Sequence, residues 1–229
     1  DDYRDLENLN QCALKYLNYF GDDDGSLEII APEQVFELKL ELTPHEEYLF
    51  PASFPEIYFT GQIDLQVRMN EVDWIWEAKT TGQALSIQSQ RLHRSAQIMG
   101  YSYAQRSIGV PAEGALISFV QLSARKNKDG VYGKPTIDFQ RVPHIFTEKD
   151  LDEWRRSFVS TARDIYLSML TDNWPMKHSS CFAYNRRCSY SSLCDINKTL
   201  HYEKKEDYSY QITEIPEGFV EDRWDVRDR

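Results

Sequence analysis

One pair of short runs constrains this chain more than any other feature. In residues 59–69, Ile63, Leu65, Val67 and Met69 alternate with Gln62, Asp64, Gln66 and Arg68. A period of two marks a half-buried β-strand. Asn70-Glu71-Val72-Asp73 then reads as a four-residue turn. The returning run sets Trp74, Trp76 and Ala78 on one face and Ile75, Glu77 and Lys79 on the other. Paired antiparallel with Met69 facing Trp74, the hairpin puts Gln66 opposite Glu77 and Asp64 opposite Lys79. The apolar faces then coincide, and the polar faces gather Asp64, Glu77 and Lys79. A one-residue slip would separate them, so the hydrophobic pattern and the charge cluster demand the same parity.

The rest of the chain supplies partners for that hairpin. Residues 2–20 read as a helix, with Leu6, Leu9, Ala13, Leu14 and Leu17 at helical spacing, and 21–26 as a loop. Residues 29–42 read as one or two strands interrupted by Pro32, 86–107 as a helix, and 115–124 and 132–146 as strands about a polar turn. Residues 147–170 read as a long helix with Thr147 and Asp150 placed as a capping box. After Pro175 the chain is irregular and cysteine-rich, and from Glu203 it is strongly charged and peripheral. This order predicts a mixed α/β fold with a central sheet. At 229 residues one domain is expected, with its sheet core at 30–146, cysteine-bearing regions at 1–20 and 175–200, and a tail at 203–229.

No apolar run approaches the roughly 20 residues of a membrane helix. The start shows neither a signal-peptide pattern nor an initiator Met, so a trimmed chain and a cytoplasmic location are the expectations. The net charge of −11 argues against a nucleic-acid partner until its distribution is read. Residues 86–141 hold eight basic side chains against three acidic, a net of +5, which leaves −16 for the remainder. A basic centre between acidic flanks can present a local anion-binding face, or a mixed solvated surface.

Two carboxylates beside an ammonium suit divalent-metal chemistry. Hard oxygen ligands hold Mg²⁺ or Mn²⁺, and the carbonyl of Ala78 lies between the two charged residues as a further ligand. A bound cation acidifies water and polarises a phosphoryl oxygen, and a nearby lysine orients that water or stabilises developing charge. The alternative is a cross-strand Asp64–Lys79 salt bridge with Glu77 in solvent.

Gly61-Gln62-Ile63-Asp64, followed after 12 intervening residues by Glu77-Ala78-Lys79, resembles the core of the PD-(D/E)XK nuclease superfamily. Gln97-Ile98-Met99-Gly100-Tyr101 is similar to the QxxxY helix of its RecB-like exonuclease branch, with Gln97 and Tyr101 on one helical face. The resemblance implies a restriction-endonuclease-like mixed sheet flanked by helices, with one or two Mg²⁺ or Mn²⁺ ions on Asp64 and Glu77. It implies Lys79 as the residue that positions water, and Gln97 and Tyr101 as supports that contact the nucleic-acid backbone. Relatives often carry an upstream histidine ligand. None lies between Asp1 and Glu37, and His45, in a turn-like Thr43-Pro44-His45, does not inherit the role. The stretch from Cys12 to Glu37 is short for the helices expected there, which favours a segment absent from the given chain. Glu37 matches a first-strand glutamate of such nucleases and is a minor site candidate, or else a surface strand residue.

The four cysteines are Cys12, Cys181, Cys188 and Cys194. Four is the number that a tetrahedral Zn²⁺ or a [4Fe–4S] cluster needs, but zinc sites usually come as two close pairs. One N-terminal and three C-terminal cysteines resemble the iron–sulfur RecB-like nucleases, in which the cluster joins the two ends of the chain. Zinc and free buried thiols remain as alternatives, while disulfides would require an oxidising compartment.

These readings lead to a metal-dependent deoxyribonuclease of phage or bacterial type, acting as an exonuclease on ends or single strands. Arg91, Arg94, Lys126 and Lys128 would contact DNA. A helicase or recombination partner fits the resemblance. The alternatives are a non-catalytic DNA-binding or assembly module and a sequence-specific endonuclease of the same superfamily.

Overall fold

The computed structural model describes residues 3–48, 50, 56–109, 112–175, 178–183, 186–188, 191, 202–204 and 210–212. The elements in chain order are α1 (Leu6–Gly25), β1 (Glu28–Leu40), α2 (Pro44–Tyr48), β2 (Ile57–Met69), β3 (Val72–Thr81), α3 (Leu85–Leu92), α4 (Ala96–Ser107), β4 (Gly114–Ser123), β5 (Thr136–His144) and α5 (Glu148–Thr171). A 3₁₀ turn (His178–Ser180) and the short strands β6 (Phe182–Ala183), β7 (Arg186–Arg187), β8 (Tyr202–Lys204) and β9 (Tyr210–Ile212) follow. Chain packing divides residues into two units, Asp1–Glu41 with Glu56–Ser157, and Leu42–Pro55 with Phe158–Arg229.

The first unit is built on a five-stranded mixed sheet in the order β1-β2-β3-β4-β5. Every pairing is antiparallel except β3 with β4. A parallel pair needs a crossover, and α3 and α4 supply it. One continuous helix over 86–107 is therefore replaced by two, broken at His93-Arg94-Ser95, so that Gln97 begins a new helix.

The hairpin pairs Met69 with Val72, Val67 with Trp74, Gln66 with Ile75 and Leu65 with Trp76. Its register is thus two residues tighter than the hydrophobic pattern predicts. The turn is two residues long, with Asn70 and Glu71 at φ +53° and +65°. Positive φ at both positions matches the twist of the flanking strands. A slip of two leaves every side chain on its face, so over the paired residues Leu65–Met69 and Val72–Trp76 the face assignment survives while the opposed partners change. Asp64 and Glu77 are now the residues next beyond the last pair.

β2 also changes its alternation at Asp64. Leu65, Val67 and Met69 share one face with Trp74, Trp76 and Leu116. Upstream, Phe59 packs on Trp154, and a β-carbon on Gly61 would lie 2.7 Å from the Phe36 ring and 3.4 Å from that of Tyr101. Odd-numbered residues therefore face α4 before Asp64 and face away from it afterwards. The β1 pairs pass from Pro32↔Leu65 to Gln34↔Ile63, over Glu33 at φ +47°. Asp64 stands outside the ladders on both sides, opposite Glu33, with the β1–β2 register unbroken across it.

The two faces of the sheet differ. On one, α1 packs Cys12, Phe20 and half-buried Tyr16 against Phe139, Val120 and Ile137. The helical leucines expected inside are outside: Leu6 and Leu14 are 75% and 63% exposed. Helix α1 also runs through the predicted loop at 21–26, because Arg141 holds Asp24 at 2.7 Å. The Arg141 guanidinium lies 3.8 Å from the Phe20 ring centre and 4.5 Å from that of Trp76. It is an anchor of α1 and is removed from the basic strand path that residues 86–141 suggest. Arg106 is likewise committed, to Glu148 at 2.5 Å and to the Phe146 carbonyl at 2.8 Å.

The other face carries Ile75, Ile117 and Phe119, all fully buried. α4 meets the sheet closely there: a β-carbon on Gly100 would stand 2.7 Å from Trp154 and 2.9 Å from Phe59. The Trp154 indole N–H donates to the Ala96 carbonyl at 2.9 Å. The predicted capping box starts α5, with the Thr147 amide and hydroxyl both donating to Asp150 Oδ2. Those bonds hold the Asp150 carboxyl below its ordinary pKa.

In the second unit, the Thr43 hydroxyl and amide bond Glu46 at the start of α2. β6 and β7 form a small hairpin, as do β8 and β9.

Candidate active site

β3 delivers Glu77 and Lys79 to the α4 side of the sheet. Glu77 pairs with Ile117 and Lys79 with Phe119 on β4. Those neighbours bury the carboxylate, leaving Glu77 only 1% exposed. One oxygen, Oε1, forms an ion pair with the Lys79 ammonium. The other, Oε2, has no hydrogen-bond partner among the described residues. A buried anion with an unmet lone pair is costly and is normally compensated.

The chain of contacts continues into α4. Lys79 Nζ donates to Gln97 Oε1 at 3.2 Å, and Gln97 Nε2 donates to the Tyr101 hydroxyl at 3.3 Å. Four of the five residues nominated by sequence, Glu77, Lys79, Gln97 and Tyr101, therefore form one hydrogen-bonded line. Lys79 pairs with Glu77 and not, as the salt-bridge alternative had it, with Asp64. Asp64 is exposed, one step beyond Leu65↔Trp76. Ala78 lies where β3 has run past its β2 partners and is paired to Ser118 on β4.

The donor set fits a hard divalent cation. Glu77 Oε2 is open, the Asp64 carboxylate flanks the end of the ladder, and the β2 side of β3 is unpaired at Ala78. Oxygen ligands of this kind suit Mg²⁺ or Mn²⁺. Among the described residues no three His, Cys, Asp or Glu side chains gather at one point, so further ligands would be water and substrate oxygens, as Mg²⁺ commonly takes.

The remaining candidates are scattered. Glu37 is exposed on β1, one residue from Phe36, whose ring packs against Tyr101 on the α4 side. Alternation thus turns Glu37 to the opposite face. Arg91 donates to Gln83 Oε1 at 3.0 Å, fixing the loop after β3. Arg94 is 3.9 Å from Glu153 in an exposed pair worth little. Lys126 lies 4.8 Å from the Tyr132 ring centre, and Lys128 is exposed on the same loop between β4 and β5. Gln83 and Tyr132 carry no sequence signal; their roles arise from loops that meet only in the fold.

Cys12 is buried between α1 and β5, and burial pushes its thiol pKa up, with Lys15 opposing. Cys181 and Cys188 flank the β6–β7 hairpin, and the Cys188 amide donates to the Cys181 carbonyl at 2.9 Å. Cys194 lies outside the described residues.

No curated protein matches the chain. It is similar to a solved crystal structure, that of SSO0001, at 13% identity and a TM-score of 0.37, over 82% of this chain and 70% of that one. The family model of the PD-(D/E)XK nuclease superfamily matches residues 4–195. That stretch takes in α1, the whole sheet with its Glu77–Lys79 strand, and the helices beyond it. On that match, the chain belongs to the PD-(D/E)XK nuclease superfamily.

Proposed function

We propose that the protein is a metal-dependent DNA nuclease of the RecB-like exonuclease type, formed as one nuclease domain. The observation that carries this reading is the buried Glu77 carboxylate, with Oε1 on Lys79 and Oε2 free. Asp64 and Glu77, with the Ala78 carbonyl, would hold Mg²⁺ or Mn²⁺. Such an ion lowers the pKa of bound water and polarises a phosphoryl oxygen. Lys79, held between Glu77 and Gln97, has an ammonium fixed where negative charge develops on the phosphate. Tyr101 fixes Gln97 in turn. Arg91, Arg94, Lys126 and Lys128 would carry the strand's phosphates. The branch assignment rests on Gln97 and Tyr101, and a helicase or recombination partner would fit it.

An iron–sulfur subset of that branch would bring a [4Fe–4S] cluster on Cys12, Cys181, Cys188 and Cys194, with Zn²⁺ the other occupant of a four-cysteine set. Cys181 and Cys188, adjacent across a hairpin, offer a ligand pair. Protein purified without oxygen should be brown and contain iron. A colourless, iron-free preparation overturns the cluster and leaves the nuclease reading standing.

The nuclease reading is tested with end-labelled linear DNA, single- and double-stranded, beside a closed circle, in Mg²⁺ or Mn²⁺. Linear DNA should be degraded and the circle left intact. Lys79→Ala should slow cleavage by about 10²-fold or more. Cleavage that survives that substitution at the parent rate sinks the assignment.

A further inference from the structure

A second feature lies on the same unit, at the end of β3. Tyr3, Asp5, Asn8, Lys126, Val131 and Tyr132 line a cleft of about 360 Å³, within the size range of small-ligand pockets. Its walls are aromatic and cationic. The Tyr3 and Tyr132 rings meet edge to face at 5.0 Å, Lys126 Nζ lies 4.8 Å from the Tyr132 ring centre, and the Arg4 guanidinium lies 5.5 Å from that of Tyr3.

The loop that carries Lys126 and Tyr132 is built, not slack. Lys126 and Tyr132 form a β-bridge, and Asn127 Oδ1 accepts from the amides of Asp129 and Val131, both at 2.9 Å. Gly130, at φ +79°, makes the turn. Val131 is nonetheless 61% exposed beside Tyr132. The two tyrosines are half-buried and held by each other and by Lys126, a preorganised edge at which binding costs little ordering.

Its location connects it to the Glu77–Lys79 site. A β-carbon on Gly82 would stand 3.4 Å from the Tyr3 hydroxyl and 3.7 Å from the Arg4 guanidinium. Gly82 is three residues past Lys79, at most about 11 Å of extended chain. The cleft therefore lies beside the C-terminal end of the strand that carries Glu77 and Lys79.

The chemistry also selects what enters. Asp5 caps α1 by accepting from the Asn8 amide at 2.8 Å, so this helix terminus already holds a carboxylate. A phosphate inside the cleft would meet that charge, whereas a neutral ring would not. The Asn8 side-chain amide offers a donor and an acceptor to a base edge. Lys126, Lys128 and Arg125, all exposed, stand at the rim for the flanking phosphates.

We infer that this cleft is a nucleobase subsite, in which an unstacked base of single-stranded DNA rests on Tyr132 and Tyr3 while Lys126 holds its phosphate. The inference rests on the nuclease reading for its substrate and adds a binding position outside the catalytic line. Base–aromatic stacking tolerates any base, so the subsite would grip a strand without reading its sequence.

The test is fluorescence anisotropy with labelled oligo(dT), in EDTA so that no strand is cut. Tyr132→Ala should weaken binding roughly five- to 150-fold, and Tyr132→Phe should bind as the parent does. A single abasic position walked along the oligonucleotide should reproduce the loss at one register with the parent protein, and cost nothing further with Tyr132→Ala. Should Tyr132→Ala fold poorly by circular dichroism, Tyr132→Leu and the abasic walk on the parent still decide. Parent-like affinity in the alanine variant, a flat abasic walk, or no affinity for single strands each overturns the subsite. Cleavage assays separate the two readings: a flat walk with Lys79-dependent cleavage removes the subsite alone, and a positive walk without cleavage removes the nuclease reading alone.

Discussion

Glu77 and Arg141 are buried charges on opposite faces of one sheet, on strands that flank β4. Arg141 is held from several sides: Nη2 donates to Asp24 at 2.7 Å and Tyr16 at 3.3 Å, and its plane lies against Phe20 and Trp76, while its Nε has no partner among the described residues. Glu77 is buried more deeply but is left with one oxygen unmet. A charge that the fold surrounds is an anchor. A charge that the fold buries and leaves open is held ready for something that arrives later. Neither burial nor a single unmet atom distinguishes them; what each joins does, since Arg141 ties α1 to the sheet and Glu77 heads the Lys79–Gln97–Tyr101 line.

The comparison breaks if the two substitutions behave alike. Glu77→Gln should cost about 10²- to 10³-fold in metal-dependent cleavage, the scale for losing one fixed electrostatic group. Its thermal midpoint should hold or rise, because a buried carboxylate with one unmet oxygen has gone. Arg141→Met should do the reverse. It strands Asp24 and frees α1, at a cost of about 3 kcal/mol in urea unfolding, while cleavage by the folded fraction stays near the parent's. Equal loss of stability in both variants would erase the distinction.

Two smaller effects sharpen it. Gly100→Ala places a β-carbon 2.7 Å from the Trp154 ring and should cost about 1–3 kcal/mol by overpacking. Lost cleavage beyond that destabilisation would show that the spacing of α4 from β3 also sets the reach of Gln97 to Lys79.

His144 marks the same face as Glu77 with a buried group that avoids charge. Burial, then the nearby His93, pushes its pKa below the ordinary value, and neither ring nitrogen has a partner among the described residues. The neutral form is the one the fold favours. Its contribution is fully present above about pH 6.5 and is lost as pH falls through the folded pKa. The urea midpoint should therefore drop between pH 7.5 and 5.5 by more in the parent than in His144→Gln. Equal slopes would remove His144 as the cause.

Much of this contrast was legible in the residues, because parity is a local property. Alternation around Asp64, Glu77 and Lys79 fixes faces, and a two-residue register slip leaves faces unchanged. The turn type was not legible: Asn70 and Glu71 adopt positive φ without a glycine. The change of alternation at Asp64 was hidden too, since it goes with the positive φ of Glu33 on the neighbouring strand. Long-range partners account for the rest. Helix α1 continues to Gly25 through a bond to Arg141, 117 positions away, and its exposed leucines imitate a core stripe. The same partnering turns Arg141 and Arg106, both counted as strand-path cations by charge, into internal braces. The capping box at Thr147 and Asp150 was readable because two residues three positions apart hold all of it.

The most direct measurement is Mn²⁺ binding followed by electron paramagnetic resonance, in the parent, Asp64→Asn, Glu77→Gln and Arg141→Met. The account predicts that the parent and Arg141→Met take up Mn²⁺ with equal affinity, and that either carboxylate substitution weakens uptake at least tenfold. Undiminished Mn²⁺ binding in Glu77→Gln would contradict it, because the open oxygen of that carboxylate would then be waiting for nothing.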